Sequence, residues 1–196
     1  MPGRPASSFA AAPRQVRIIG GLWRGARLAV PDSPGLRPTP DRVRETLFNW
    51  LGQDLTGWRC IDAFAGTGAL GLEAASRGAA DVLLVERDPA LAAGLRQSAQ
   101  RLQALAVRVR RGDGLAALRE QAGGGADLAL LDPPFDAAAL FAPALAAAAA
   151  AVRVGGWVYL EAPARADAEE LQALNLALHR HLKAGAVHAH LLRRSA

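Results

Sequence analysis

The feature that most limits how this chain can fold is a repeated unit. A short apolar run closes on or near an acid and is followed by a turn and a helix-like stretch. Trp58 to Phe64 is the first such run and contains Asp62. Asp81 to Glu86 (DVLLVE), Val107 to Arg110, Asp127 to Asp132 (DLALLD) and Trp157 to Glu161 repeat the pattern. The intervening stretches read as helices: one through about Arg77, then Pro89 to Leu102, Leu115 to Gln121 and the Ala-rich Ala137 to Val152. Short apolar runs bounded by turns are buried strands, and regular strand–helix alternation builds a mostly parallel sheet with helices on both faces. The expected class is therefore α/β. Glu169 to His179 reads as one more helix and Ala186 to Leu192 as a last strand. Ligands of such sheets bind outside the carboxyl ends of the strands, where these acids lie.

At 196 residues, 51% of them hydrophobic, the chain makes one ordinary domain with a real core. We expect three parts: a flexible basic tail over 1–14, an N-terminal hairpin, loop and helix over 15–52, and the main domain over 53–196. The hairpin spans Val16 to Val30 around Gly20, Gly21 and Gly25. The loop is the proline-rich Pro31 to Pro40, and the helix begins at Asp41 as its cap, with Val43, Leu47, Phe48 and Leu51 on one face. No run of 18 apolar residues and no apolar leader is present, so a cytoplasmic location is expected. A single cysteine, Cys60, excludes a disulfide framework within the chain. His179, His181, His188 and His190 have no acid or cysteine near them in sequence, and no metal is expected.

Charge is distributed unevenly. Residues 1–59 hold nine Arg against four acids, a net of +5, whereas residues 60–196 hold fourteen charges of each sign. Lys183 is the only lysine. Arginine forks suit phosphate and stack on bases, so a basic segment beside a neutral domain points to a polyanionic partner.

Asp62-Ala63-Phe64-Ala65-Gly66-Thr67-Gly68-Ala69-Leu70-Gly71 leaves the first strand and opens a helix. Gly66 and Gly68 permit a tight turn, and the helix start presents unpaired N–H groups suited to a carboxylate. By letter, Gly66, Gly68 and Gly71 also match a dinucleotide fingerprint. However, Asp62, just ahead of them, would repel a pyrophosphate and attract an ammonium, which favours S-adenosylmethionine. Glu86, 24 residues after Asp62, ends the next strand, where an acid accepts from ribose hydroxyls. Asp113, before Gly114, suits both an adenine amino group and the cap of the following helix.

Asp132-Pro133-Pro134-Phe135 follows the fourth strand. Its prolines remove two backbone donors and leave carbonyl acceptors beside the Asp132 carboxylate. Such acceptors suit an exocyclic amine, whose two N–H bonds they can hold while its lone pair faces a methyl donor. Phe135 offers a ring for a flat heterocycle.

Phe-Ala-Gly-Thr-Gly and Asp-Pro-Pro-Phe together resemble the amino-methyltransferase branch of the Rossmann-like, S-adenosylmethionine-dependent methyltransferases. Arg17-Ile18-Ile19-Gly20-Gly21-Leu22-Trp23-Arg24-Gly25 and Leu36-Arg37-Pro38-Thr39-Pro40-Asp41-Arg42-Val43-Arg44-Glu45-Thr46-Leu47-Phe48-Asn49-Trp50-Leu51 narrow the match. With Leu70-Gly71-Leu72-Glu73-Ala74 and Ser76-Arg77-Gly78-Ala79, they closely resemble the bacterial RsmD family, which methylates a guanine N2 in 16S ribosomal RNA. The resemblance spans roughly Arg17 to Leu192 and is strongest before residue 90. It implies Asp62, Phe64, Gly66, Thr67 and Gly68 around the methionine part of the cofactor, Glu86 and Arg87 at the ribose, and Asp113 and Gly114 at the adenine. The Arg37-Pro38-Thr39 segment would lie against the cofactor or the catalytic loop. Asp132, Pro133, Pro134 and Phe135 would hold the target guanine. Arg17, Trp23, Arg24, Arg37, Arg42 and Arg44 would face RNA, Arg42 and Arg44 alternatively facing Glu45. A family aromatic expected near the last strand is replaced here by His188 and His190.

The function expected is methyl transfer from S-adenosylmethionine to guanine N2 of 16S ribosomal RNA, free or in the small subunit, by a monomer. A DNA adenine-N6 methyltransferase uses the same tetrapeptide, but 196 residues leave little room for a target-recognition domain. A non-catalytic RNA-binding assembly factor is the third reading, against which the intact acid and proline set argues.

Overall fold

The computed structural model describes residues 15–31, 39–134 and 137–196. The tail over 1–14, Arg37 and Phe135 lie outside them. A two-stranded antiparallel hairpin, β1 (Gln15–Arg17) and β2 (Arg27–Ala29), precedes helix α1 (Asp41–Trp50). Then follow β3 (Arg59–Asp62), α2 (Ala69–Ser76), β4 (Asp81–Glu86), α3 (Pro89–Arg101), β5 (Val107–Arg111), α4 (Gly114–Glu120) and β6 (Ala126–Leu131). A 3-10 turn at Ala138–Leu140 leads into α5 (Phe141–Ala151), β7 (Val152–Ala162), α6 (Ala168–Ala173), β8 (Leu176–Ala184) and β9 (Val187–Arg194).

The main sheet has seven strands in the order β5-β4-β3-β6-β7-β9-β8. β5, β4, β3, β6 and β7 run parallel, and β9 pairs antiparallel with both β7 and β8. Side-chain alternation divides the core between the two faces. Cys60, Val82, Leu84, Leu128, Leu130 and Tyr159 pack under α1, α2 and α3. Ile61, Leu83, Val85, Ala129, Leu131 and Leu160 pack under α4, α5 and α6. Strands buried on both faces must be apolar throughout, which is why they were legible as continuous runs. The alanines of α5, buried from Ala144 to Ala151 except at 146 and 150, let that helix lie close on the sheet.

Three expectations need correction. The helix foreseen over 169–179 stops at Ala173, and Asn175 takes a left-handed φ of 53° that ends it. From Leu176 the chain is strand, with its leucines alternating against Ala177 and His179. Asp41 does not cap α1. Pro40 occupies the cap position without a side-chain bond, and Asp41 is the first helical residue, turned toward Arg17 and Arg44. The helix foreseen over 137–152 is a 3-10 turn plus α5, with Pro143 in the first turn of α5, where no helical N–H is needed.

Candidate active site

The carboxyl ends of the parallel strands bring together most of the acids picked out in the sequence. Asp62 ends β3 and is 1% exposed. Its Oδ2 accepts from the Gly71 N–H at 3.0 Å, while its Oδ1 is buried without a partner. Burial pushes its carboxyl up to about 7; the Gly71 hydrogen bond and the nearby backbone N–H of Phe64 oppose this, and the charges of Glu86 and Glu161 add to it. A Cβ on Gly71 would meet Leu84 Cδ2 at 2.2 Å and Asp62 Oδ2 at 3.0 Å, so this glycine lets α2 press against the β3–β4 edge.

Gly66 and Gly68 take left-handed φ values of 52° and 81°. The Gly66 N–H donates to Glu86 Oε2 at 2.9 Å, and Glu86 Oε1 accepts from the Asp88 N–H at 2.7 Å. The half-buried Glu86 thus braces the glycine turn while keeping lone pairs free toward the cleft. Asp113 is exposed and caps α4, accepting from the Ala116 N–H at 2.7 Å. Gly114 sits where a Cβ would run into the Ala63 carbonyl at 2.0 Å and the Phe64 ring at 3.3 Å, so the loops after β3 and β5 touch. Thr67 is buried and Arg87 exposed.

Asp132 follows β6 and is half-buried, with Pro133 buried and Pro134 exposed. The Pro134 carbonyl accepts from the Ala137 N–H at 3.0 Å. Thr39 is brought to this segment rather than to the glycine turn. Its hydroxyl donates to Glu161 Oε1 at 2.8 Å and stands 3.4 Å from Asp132 Oδ2. Glu161, to which sequence analysis assigns no role, is the penultimate residue of β7, is 3% exposed, and also accepts from the Tyr159 hydroxyl at 2.8 Å. Its signal was available: it closes an apolar run, as Asp62, Glu86 and Asp132 do. Desolvation, then the charges of Glu161 and Asp62, hold the Asp132 carboxyl well above the usual carboxylate range. Desolvation raises Glu161 as well, against the hydroxyls of Thr39 and Tyr159. Among the described residues, no basic side chain forms an ion pair with Asp62, Asp132 or Glu161.

Behind this edge the N-terminal segment is fastened to α2. The carboxylate of Glu73, fully buried, accepts from the backbone N–H groups of Ile19 and Gly20 at 2.8 Å each and from Arg77 Nε at 2.9 Å, with Arg44 Nη1 at 3.4 Å. Ser76 donates to the Gly20 carbonyl and accepts from the Trp23 N–H. Gly21 has a φ of 74°, and a Cβ there would lie 1.8 Å from the Ser76 carbonyl oxygen. The two stretches of sequence that separately resemble RsmD, around Gly20 and around Glu73, are therefore one contact.

That contact changes the reading of two residues expected to face RNA. Arg44 is 0% exposed, with its guanidinium donating to Asp41, Glu73 and the Arg17 and Thr39 carbonyls. A side chain enclosed in this way braces the Thr39 loop and offers no surface to RNA. Trp23 is half-buried and packs on the core. Arg17, Arg24 and Arg42 are exposed, Arg17 beside Asp41 at 3.3 Å.

This strand order, glycine turn and row of strand-end acids define a Rossmann-like methyltransferase fold. Precorrin-6y C5,15-methyltransferase from Geobacter metallireducens shares the fold with a TM-score of 0.64, over 86% of this chain and 94% of its own, at 14% identity. The chain belongs to the family described as Conserved hypothetical protein 95, the RsmD family, whose profile matches residues 16–193. It is 51% identical over 121 residues to Ribosomal RNA small subunit methyltransferase D of Escherichia coli K12, a match spanning 62% of this chain and 61% of the relative. The chain thus spans about three fifths of that relative's length in the match. The solved structure of yhhF from Escherichia coli superposes with a TM-score of 0.79 at 37% identity, over 93% of this chain and 99% of that one.

Proposed function

We propose that the protein transfers a methyl group from S-adenosylmethionine to the exocyclic N2 of a guanine in 16S ribosomal RNA. One observation carries this reading: the buried Asp62 and Glu161 and the half-buried Asp132 converge at the carboxyl edge of the sheet beside a glycine turn, without a basic ion-pair partner among the described residues. An anionic niche of this kind favours a cationic occupant. The names and titles of relatives in the same family support ribosomal RNA as the substrate class.

The residues fit the cofactor. The orphaned Oδ1 of Asp62 offers an acceptor for an ammonium, and the left-handed turn at Gly66 and Gly68 packs tightly on α2 and α3, where a Cβ on Gly68 would meet Leu95 at 2.6 Å and Leu72 at 2.9 Å. Glu86 would take the ribose hydroxyls and the Asp113–Gly114 turn the adenine. Bound S-adenosylmethionine supplies an electrophilic methyl carbon on a sulfonium. This chain's own residues orient the other reactant. Asp132 accepts one N–H of the guanine amine and the Pro133 carbonyl the other, which leaves the nitrogen lone pair free. Thr39, held by Glu161, steadies the Asp132 carboxylate. The proton released on methylation passes to Asp132, whose raised carboxyl makes it a better acceptor than a free aspartate. The target base must be extruded or unpaired to present that edge. Exposed Arg17, Arg24 and Arg42 lie in the segment whose net charge would hold phosphates, a contribution that weakens with salt.

The test is Asp132→Ala. Misplacing a reacting amine costs about 10²-fold or more, so methyl transfer to small-subunit RNA should fall at least that far, with S-adenosylmethionine still bound in calorimetry. Near-wild-type turnover overturns the assignment. Nucleoside mass spectrometry after reaction with total RNA and genomic DNA should find N2-methylguanosine; N6-methyladenine in the DNA would replace this reading with the adenine one.

A further inference from the structure

Away from the strand-end acids, the β8–β9 hairpin carries a cluster that the methyl-transfer reading does not use. His181 on β8 pairs across from His190 on β9, and His188 pairs with Lys183 on β8 and with Ala162 on β7. One ring nitrogen from each of His181, His188 and His190 lies within 4.8 Å of the others. His181 Nε2 and His188 Nδ1 are 3.0 Å apart, and both rings are half-buried and reachable from solvent.

The hydrogen bonds of His190 fix its state. Its Nε2 receives the Ala166 N–H at 3.1 Å, and a backbone amide can only donate, so Nε2 is unprotonated. The ring proton is therefore on Nδ1, which donates to the Leu160 carbonyl at 3.2 Å. Metal-binding histidines are oriented in this way, with the far N–H given to a carbonyl and the near nitrogen left as a lone pair. A zinc ion with Zn–N bonds of about 2.0–2.1 Å in tetrahedral geometry keeps its nitrogens roughly 3.3 Å apart. The His181–His188 separation is already close to that value, and His190 has to close the remaining gap by giving up the Ala166 amide. Arg165 adds a positive charge beside His181 and His190. That charge opposes any cation, and the neutral imidazole ligands, with no carboxylate among them, suit late transition ions rather than hard ones.

We propose that His181, His188 and His190 form a binding site for a divalent late transition ion such as Zn²⁺, with a fourth position open to water. Occupancy would tie the edge strand β8 to β9 and draw the Ala166 loop off His190. That loop leaves β7 only a few residues after Glu161, so the ion would act on the outer wall of the cleft rather than in the chemistry.

The full chain without an affinity tag, stripped by chelator, should bind one equivalent of Zn²⁺ with a Kd below about 1 µM. His188→Ala should weaken this at least tenfold, and His181→Ala serves in its place if that variant melts early. His179→Ala, on the same strand but outside the cluster, should bind as the parent does. Co²⁺ should give the intense visible bands of a tetrahedral site, and zinc should speed hydrogen exchange at the Ala166 amide, which loses its acceptor. A parent Kd above 1 µM, equal affinity in the folded cluster variant, or an equal loss in His179→Ala would overturn the proposal.

Discussion

Two groups of buried charges lie within this one domain and are treated in opposite ways. Around Glu73, every charge is answered. Arg44 and Arg77 approach its carboxylate from two sides, two backbone amides fill its other lone pairs, and Asp41 takes the second side of Arg44. Around Asp132, three acids crowd together with hydroxyls for company, and Asp62 keeps an oxygen without any donor. A paired cluster holds two segments in register and has nothing left to bind with. An unpaired cluster stays destabilised until something positive arrives, which is the signature of a site rather than a strut.

The sharpest break of that comparison is Glu73→Ala. Removing one partner of a buried ion pair costs about 3–5 kcal/mol, because the other charge is left stranded. Here the Arg77 guanidinium and two amides would be stranded and Arg44 would keep only Asp41 as a charged partner, so the upper end is expected. For a domain of this size that corresponds to a fall of about 10 °C or more in Tm. Glu73→Gln, which keeps the shape and one acceptor oxygen but turns an NH2 toward two of the four donors, should lose less than alanine does. A loss under about 1 kcal/mol in urea unfolding would show that the N-terminal segment is not held by this carboxylate.

Asp62→Asn attacks the other cluster, and the sign should reverse. The native state keeps a proton on Asp62 up to about pH 7, whereas the unfolded chain loses it near the ordinary value of 3.8. Between these values the folded protein binds the extra proton, so stability falls as pH rises, by up to about 1.4 kcal/mol per pH unit for one full proton. The amide variant removes that share of the slope. It should equal or exceed the parent in stability at pH 8 while binding S-adenosylmethionine at least about tenfold more weakly, the loss of one charge-assisted hydrogen bond. Urea midpoints at pH 5 and pH 8 for both proteins decide this. Parallel slopes would mean that Asp62 is not the group holding the proton.

The same division explains what could be read before the structure. The central parallel strands β3, β4 and β6 were legible because both their faces are largely buried and their apolar runs are nearly unbroken, whereas the edge strand β5, Val-Arg-Val-Arg-Arg, has no fully buried residue. β8 was missed because its alternation places Arg180, His181 and Lys183 among its leucines, which a helical reading absorbs equally well. Asp62, Glu86 and Asp132 were found because glycines or prolines mark their neighbourhood, and Glu161 was passed over because nothing beside it breaks the strand. The Arg44–Glu73 pair joins residues 29 apart on two helices, and no local pattern announces a tertiary contact of that kind. The family resemblance places Arg44 toward RNA or Glu45, whereas its burial depends on a glutamate in another element.

The smallest effect, and the finest probe of the unpaired cluster, is expected from Glu161→Gln. Glutamine keeps an acceptor for Thr39 and Tyr159 at the position where Glu161 Oε1 now receives both hydroxyls. Packing should survive, but the negative charge that helps raise Asp132 is gone. Asp132 should then lose its proton at lower pH, so the acid limb of the kcat profile should move down. The rate at neutral pH should fall less than about tenfold, since a weaker base still sits at the right place. Thr39→Ser, which preserves both the hydroxyl and the charge, should leave the acid limb where it is. If the limb stays put in Glu161→Gln too, Glu161 is a packing residue and the proton on Asp132 is governed by burial alone.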